Sequence, residues 1–194
     1  MDLDLKELGR FEISKGEVVV SDPCYPKGIW CQGILSGVKT GLWKAVARTC
    51  DSGERVGELI AFHEAHGSLM DLRFQWKKEY FSVGVDSGQA GFFQEDKYRN
   101  DACVGDTPIP EWLDTRKEGD KWYGSCCTIT IDAMAGVLDG GVVASSGYGD
   151  GIYDVYTAEE NGEIVAMKLV FIEEDEEWDD EEWEEEEENG EEEF

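Results

Sequence analysis

The sequence predicts a mainly β fold of the β-rich α+β class, either a single sandwich or a rolled, barrel-like sheet, with one or two short helices. Two observations predict it. Short runs of β-branched and aromatic residues recur along residues 1–172, and turn-forming residues separate them. The chain also contains 23 glycines, which suit turns and bulges better than helix interiors. Strands that alternate with glycine-rich turns are typical of sandwiches and barrels.

The first predicted strands lie at 17–21, 42–49 and 55–62. The valine-rich run at 17–21 stops at an Asp-Pro pair, which is a turn signal. The next two runs alternate in hydrophobicity and are separated by Asp-Ser-Gly at 51–53, so we expect them to pair as a hairpin.

The second half is predicted to add strands and two short helices. Asn161-Gly162 lies between the last two strand patterns and is the strongest short signal for a hairpin. Helical spacing of apolar residues indicates a helix within 68–80, and a proline at its first turn favours another over 110–114. The predicted strands of this half are 81–86, 128–131, 142–146, 152–157 and 164–171.

Charge divides the chain into two parts. The formal net charge is −28, and residues 173–194 hold 17 acidic residues in 22 positions and no basic one. We therefore expect a globular β-rich domain over 1–172 and a polyacidic tail over 173–194 that is disordered when free. Such a charge disfavours direct binding to nucleic acid or to anionic membranes, and it favours a basic protein surface as the partner.

The tail also contains aromatic residues, which solvation alone does not require. Acidic residues interleaved with aromatics are typical of segments that become ordered on a basic, partly apolar surface. The candidate partner-binding residues are Trp178, Trp183 and Phe194. A purely solubilising tail is the alternative.

Cysteines and histidines give no metal signature. The six cysteines contain no C-x-x-C pair, and without an export signal we expect them to be reduced, and buried or inert, in a cytoplasmic protein. Both histidines lie in His63-Glu64-Ala65-His66, one residue short of the zincin spacing. The sequence therefore predicts ordinary histidines and no metal site here.

Three glycine-rich segments place polar residues at strand ends. They contain SDPCY at 21–25, VGVDSGQAGFF at 83–93 and SGYGDGIY at 146–153. Convergent polar groups of this kind mark ligand pockets, although each aspartate could instead satisfy the backbone of its own turn. The candidate ligand-binding residues are Asp22, Cys24, Tyr25, Asp86, Ser87, Gln89, Tyr148, Asp150 and Tyr153. If the three aspartates converge, they would suit a divalent cation such as Ca²⁺ or Mg²⁺, and no other cofactor is implied.

In this order the three segments resemble a widespread bacterial family, also found in phage-related settings, that is catalogued as a domain of unknown function. The resemblance covers about residues 15–172 and leaves the acidic tail outside. It implies a single β-rich domain with its candidate sites in these segments, and it implies no activity.

Two classes of function remain open. The charge favours an acidic protein-binding module, such as an inhibitor or immunity-type protein that engages a basic, nucleic-acid-handling partner. The strand-end motifs favour instead a domain that binds a small molecule or divalent cation, or a hydrolase-like enzyme. A Ser-His-Asp or Cys-His mechanism would need His63 or His66. We favour binding over catalysis, and a structural domain without a site is the third possibility.

Overall fold

A computed structural model describes residues 4–68 and 72–173. Over these residues the chain forms eleven strands, one α-helix and two single-turn 3-10 helices. The helix, α1 (Asp120–Ala133), is not long and apolar enough to cross a membrane, and the described residues contain no other candidate span. The strands are β1 (Asp4–Ile13), β2 (Glu17–Ser21), β3 (Gly33–Ser36), β4 (Gly41–Cys50), β5 (Arg55–His63), β6 (Lys77–Val85), β7 (Gln89–Gln94), β8 (Ala135–Leu138), β9 (Gly141–Ser145), β10 (Gly151–Glu160) and β11 (Glu163–Val170).

The strands form two antiparallel sheets, and the predicted mainly β sandwich with a short helix is confirmed. The first sheet has the order β1-β4-β5-β11-β10-β6, and the second has the order β3-β2-β7-β9-β8. Both predicted hairpins are present. β4 and β5 meet at a 3-10 turn, Asp51–Gly53. β10 and β11 join through Asn161 and Gly162, whose positive φ values of 53° and 82° suit a type I′ turn.

The main core lies between the two sheets. Alternate residues of β2 show the two environments of the second sheet: Val18 and Val20 belong to the core between the sheets, whereas Val19 faces the other way. On that outer side Val19 packs with Phe93, Tyr98 and Trp122 beneath α1. The helix therefore adds a third layer over the second sheet.

The position of α1 corrects one predicted strand. Residues 128–131 were expected to be a strand because they alternate threonine and isoleucine, but they form the last turns of α1. The face of the helix that carries Trp122, Cys126 and Ile129 packs onto the second sheet, and this burial outweighs the weak β preference of the threonines and isoleucines. Thr130 Oγ1 donates back toward the carbonyl groups of the preceding turn, which suits a threonine inside a helix.

Both predicted helices are wrong over the described residues. Residues 77–80 belong to β6 and 72–76 are irregular, so the apparent helical spacing reflects side chains that cover the outer face of the first sheet. Residues 110–114 form only a turn, closed by the Leu113 amide donating to the Pro110 carbonyl at 3.1 Å. The predictions for residues 174–194, including Trp178, Trp183 and Phe194, lie outside the described residues.

Candidate functional site

A buried carboxylate joins the first two sequence motifs. Asp22 follows β2 and is fully buried. Its two oxygens accept hydrogen bonds from the backbone amides of Cys24 (2.8 Å), Asp86 (2.9 Å) and Ser87 (2.7 Å), and from the Ser87 hydroxyl (2.6 Å). Charge-assisted bonds of this kind are strong, so the 22–25 turn and the 86–88 turn are held in one arrangement.

Tyr98 and Arg99, which are consecutive in the sequence, hold the 22–25 turn in place through hydrogen bonds. The buried Tyr98 hydroxyl lies 3.0 Å from the Asp22 carbonyl oxygen and 2.7 Å from that of Tyr25, and burial raises the pKa of this phenol, so it stays a donor. The Arg99 guanidinium donates to the carbonyl oxygens of Pro23 and Cys24, both at 3.0 Å. It also pairs at 2.9 Å with Asp120 at the start of α1, which fixes the helix relative to the turn.

A groove of about 310 Å³ opens beside Ser87, between the start of β7 and α1. Its mouth is apolar and aromatic, formed by Trp112, Tyr123 and Ile131. Its polar floor comes from Ser87, Gln89, Thr130 and Ser145. A few polar groups inside an aromatic rim are typical of small-molecule sites.

Gln89 carries the most informative atom of the groove. Its side chain is only 7 % exposed, and Oε1 is buried without a hydrogen-bond partner among the described residues. Nε2 donates to the Cys127 thiol at 3.5 Å, and this sulfur is a weak acceptor. A buried polar atom left unpaired costs about 1–3 kcal/mol, and folded proteins keep few of them. Here the unpaired carbonyl oxygen belongs to a residue that lines the groove.

Two titratable side chains of the site, Cys24 and Tyr123, keep their protons at neutral pH. Burial raises the pKa of Cys24, and the adjacent Asp22 carboxylate raises it further. Burial likewise raises the pKa of Tyr123, and the neighbouring Cys127 raises it further. Cys24 is therefore a thiol and not a reactive thiolate. The site offers hydroxyl, thiol and amide groups that can form hydrogen bonds.

The structure brings the candidate residues of the first two motifs together. Asp22, Cys24, Asp86 and Ser87 share the network described above, and the Tyr25 hydroxyl donates to the exposed Asp86 carboxylate. Of the candidate residues, only Ser87 and Gln89 line the groove itself. The other candidates of these two motifs, Asp22, Cys24, Tyr25 and Asp86, belong to the network that holds the 22–25 and 86–88 turns in place.

The candidate residues of the third motif do not line the groove. Tyr148 is 69 % exposed and lies under the Arg55 guanidinium, and Asp150 is exposed. The Tyr153 hydroxyl donates within its own turn, 2.6 Å from the Gly149 carbonyl oxygen. This motif contributes instead through the backbone amide of Ser146, which donates to the Gly88 carbonyl at 2.9 Å. The residue before the motif, Ser145, lines the groove.

The three aspartates are not arranged as a cation site. Over residues 4–68 and 72–173, no group of three or more His, Cys, Asp or Glu side chains is placed to hold a metal ion. Asp22 is buried and saturated by four donors, whereas Asp86 and Asp150 are exposed. The segments that carry them meet, but the carboxylates serve separate turns.

Sequence analysis missed the helical half of the groove. Tyr123, Cys127 and Thr130 follow one another at i, i+4 and i+7, which places them on one face of α1. That spacing was the available signal, and the predicted strand at 128–131 obscured it. Trp112 comes from an irregular loop, and Tyr98 and Arg99 lie in turns whose contacts are all distant in sequence, so no local pattern identifies them.

The two histidines lie away from this groove. His63 ends β5, with Nε2 positioned 3.2 Å from the Thr40 carbonyl oxygen and Nδ1 accepting from the Ala65 amide at 3.2 Å. His66 Nδ1 lies 2.6 Å from the Glu160 carboxylate. Neither ring contacts Ser87, Cys24 or Cys127, so the described residues assemble no Ser-His-Asp or Cys-His machinery at the groove.

Acidification is expected to destabilise the protein through His63. The neutral ring with its proton on Nε2 donates to the Thr40 carbonyl and accepts from the Ala65 amide. Burial lowers the pKa of His63 from its ordinary value of 6.5. The unfolded chain therefore takes up this proton at a higher pH than the folded one. The contribution of neutral His63 to the free energy of unfolding is complete above about pH 6.5. It is lost as the pH falls through the pKa that His63 has in the folded protein.

Urea unfolding at pH 7.5 and pH 5.5 checks this prediction. The free energy of unfolding of a His63→Gln variant should change less between the two values than that of the wild-type protein. An equal pH dependence in the wild-type and His63→Gln proteins would contradict the prediction.

Comparisons with models of protein families, with curated proteins and with solved structures found no match, so the family resemblance stays a prediction.

Proposed function

We propose that this protein is a binding domain that takes up a small ligand in the groove between β7 and α1. The observation that carries the proposal is the buried Oε1 of Gln89, which has no hydrogen-bond partner among the described residues and belongs to a residue that lines the groove. A ligand that donates to this oxygen would relieve the cost of its burial. The volume of about 310 Å³ falls at the small end of the range for ligand pockets, roughly 300–1,000 Å³.

The rigidity of the surroundings supports binding at this position. Ser87 is fixed by Asp22, and the start of α1 is fixed by Arg99 through Asp120. Groups held in this way lose little conformational entropy when a ligand binds, which raises affinity. Because Cys24 is protonated and both histidines lie elsewhere, binding is better supported than covalent catalysis.

Gln89→Met is expected to weaken ligand binding by about tenfold or more, since it removes the hydrogen-bonding amide while keeping the length of the side chain. A fragment library screened by NMR against the ¹⁵N-labelled full chain provides the ligands. Hits should shift the Gln89 side-chain amide and the Trp112 indole resonances. Asp150→Asn is the matched control, because Asp150 is exposed and outside the groove. The proposal fails if no fragment shifts these resonances, or if the hits bind the methionine variant as tightly as wild type.

A second function, the binding of a basic protein surface, is supported by the ion pairs that lysines and arginines of the globular domain form. Among the described residues, at least eleven lysines and arginines form ion pairs with carboxylates of residues 51–163. Even if the other six of the chain's 17 lysines and arginines were all drawn to residues 173–194, those 17 acids would keep an excess of eleven negative charges. We infer that this excess attracts a basic, nucleic-acid-handling protein, as an inhibitor or immunity-type protein would.

Removal of residues 174–194 is expected to slow association with such a partner by about tenfold or more at low salt, because electrostatic steering is lost. A panel of basic nucleic-acid-binding proteins, measured by stopped-flow fluorescence at 50 and 300 mM NaCl, provides the test. Full-length protein should associate more slowly at the higher salt. The double variant Trp178→Ser, Trp183→Ser keeps the charge, so it should keep the association rate and dissociate faster. Association rates that change neither with the salt concentration nor with the truncation would exclude this function.

A further inference from the structure

None of the described residues that line the groove is an aspartate, glutamate, lysine, arginine or histidine. The lining combines hydroxyl, amide, thiol, aliphatic and aromatic groups. The charges of the adjoining Asp22 and Arg99 network are already paired. All four donors around Asp22 belong to the two turns, and Arg99 is occupied by two carbonyl groups and Asp120. A charged ligand group would therefore lose its hydration without gaining a counter-ion, which is unfavourable. This environment selects an uncharged ligand.

The Gln89 side chain, which lines the groove, carries two complementary hydrogen-bonding atoms. Oε1 is a buried acceptor without a partner among the described residues, and Nε2 is a donor whose partner is the Cys127 sulfur, a weak acceptor. An amide engages both atoms at once when its partner offers a donor next to an acceptor, as in the pairing of glutamine or asparagine with the edge of adenine. The best ligand edge is therefore itself amide-like.

The mouth of the groove favours a flat ligand. Trp112 is 68 % exposed, and Tyr123 lies half-buried on the helical wall. Two aromatic side chains offer faces or edges to a ring, and such contacts add to the stabilisation from burial alone. The volume of about 310 Å³ leaves space for one ring system rather than an extended chain.

We infer that the groove recognises an uncharged, planar ligand whose edge carries an N–H donor beside a hydrogen-bond acceptor. Carboxamides attached to an aromatic ring and nucleobases are the two sources of this edge. The edge pairs with the Gln89 amide while the ring lies against Trp112 and Tyr123. This inference rests on the proposed function, because it names the class of ligand for the same groove.

An isosteric series tests the edge directly on the ¹⁵N-labelled full chain. Benzamide carries the proposed edge, benzamidine replaces it with two donors and a positive charge, and benzoate replaces it with two acceptors and a negative charge. Benzamide is expected to bind at least tenfold more tightly than the other two and to shift the Gln89 side-chain amide resonance. Adenosine represents the nucleobases, the second source of this edge. If adenosine binds more tightly than benzamide, the ligand class is the nucleobases. If it binds more weakly, the ligand class is the carboxamides.

A variant at Gln89 separates recognition from a structural role. Gln89→Glu replaces the donor–acceptor pair with two acceptors, so the preference should reverse and benzamidine should bind more tightly than benzamide. A merely structural role would weaken all three compounds together. If this variant does not fold by circular dichroism, Trp112→Ala replaces it and should weaken benzamide at least fivefold without changing the order of the series.

The outcomes distinguish the two proposals. If benzoate or benzamidine matches benzamide on the wild-type protein while both shift the groove resonances, the amide-edge inference is wrong and the ligand groove stands. If neither this series, nor adenosine, nor the fragment library shifts the Gln89 and Trp112 resonances, both proposals are wrong.

Discussion

Replacement of Asp22 by alanine is expected to lower the free energy of unfolding by about 3–5 kcal/mol, which is among the largest effects of a single substitution. The loss arises because three backbone amides and the Ser87 hydroxyl keep their buried positions but lose their common acceptor. Each such donor left unpaired costs on the order of 1 kcal/mol or more. For a chain of this size the melting temperature should fall by roughly 10 °C.

Urea and thermal unfolding monitored by circular dichroism provide the measurement. Asp150→Ala is the matched control, since that carboxylate is exposed, and its effect should stay within about 0.5 kcal/mol. Asp22→Asn should lie between the two, because an amide oxygen still accepts hydrogen bonds but without the charge. An alanine variant as stable as the control would show that Asp22 does not hold the two turns together.

Local signals predicted much of the two sheets. The 160–163 hairpin depends on Asn161 and Gly162, whose positive φ values the sequence indicates without reference to the rest of the chain. The strand at 17–21 was equally clear, because valine runs before an Asp-Pro turn have few alternatives. These elements could be predicted because the physical cause of each lies within a few residues.

β7 could not be predicted in this way. Its six residues, Gln89–Gln94, are all buried, because the first sheet covers one face and α1 covers the other. A strand covered on both faces has no alternation of polar and apolar residues, so no strand was predicted over these residues. The groove was not predicted for the same reason, because it exists only where α1 lies over the start of β7.

The aspartates show which part of a site the sequence can reveal. Convergence of the aspartates was one of two alternatives, and the segments of Asp22 and Asp86 do meet, but through the Asp22 carboxylate, which accepts from the backbone amides of Asp86 and Ser87. A motif at a strand end indicates that the turn is specialised. Whether its carboxylate serves the turn or a ligand depends on burial and donors contributed by distant segments.

Gly91→Ala is expected to destabilise the protein by about 4 kcal/mol or more, since it forces apart strands that pack at the centre of the second sheet. A Cβ atom at this position would lie 2.2 Å from the Val142 carbonyl oxygen and 2.6 Å from the Phe93 ring. The obstacle is backbone of β9, which cannot rotate away as a flexible side chain could. Gly91 also pairs with Ser21 and Val143, so the displacement affects β2 and β9 together.

Gly105→Ala is the matched control for this substitution. It makes the same chemical change where nothing lies within 4 Å, and its cost of about 1–2 kcal/mol comes only from the positive φ of 62°. Urea unfolding of both variants separates steric contact from backbone conformation. Because Gly91 is two residues from Gln89, any folded Gly91→Ala protein should also lose the ligand-induced shift of the Gln89 amide. Equal stability of the two variants would mean that the distance between β7 and β9 is not fixed at this glycine, and that the floor of the groove can adjust without loss of the fold.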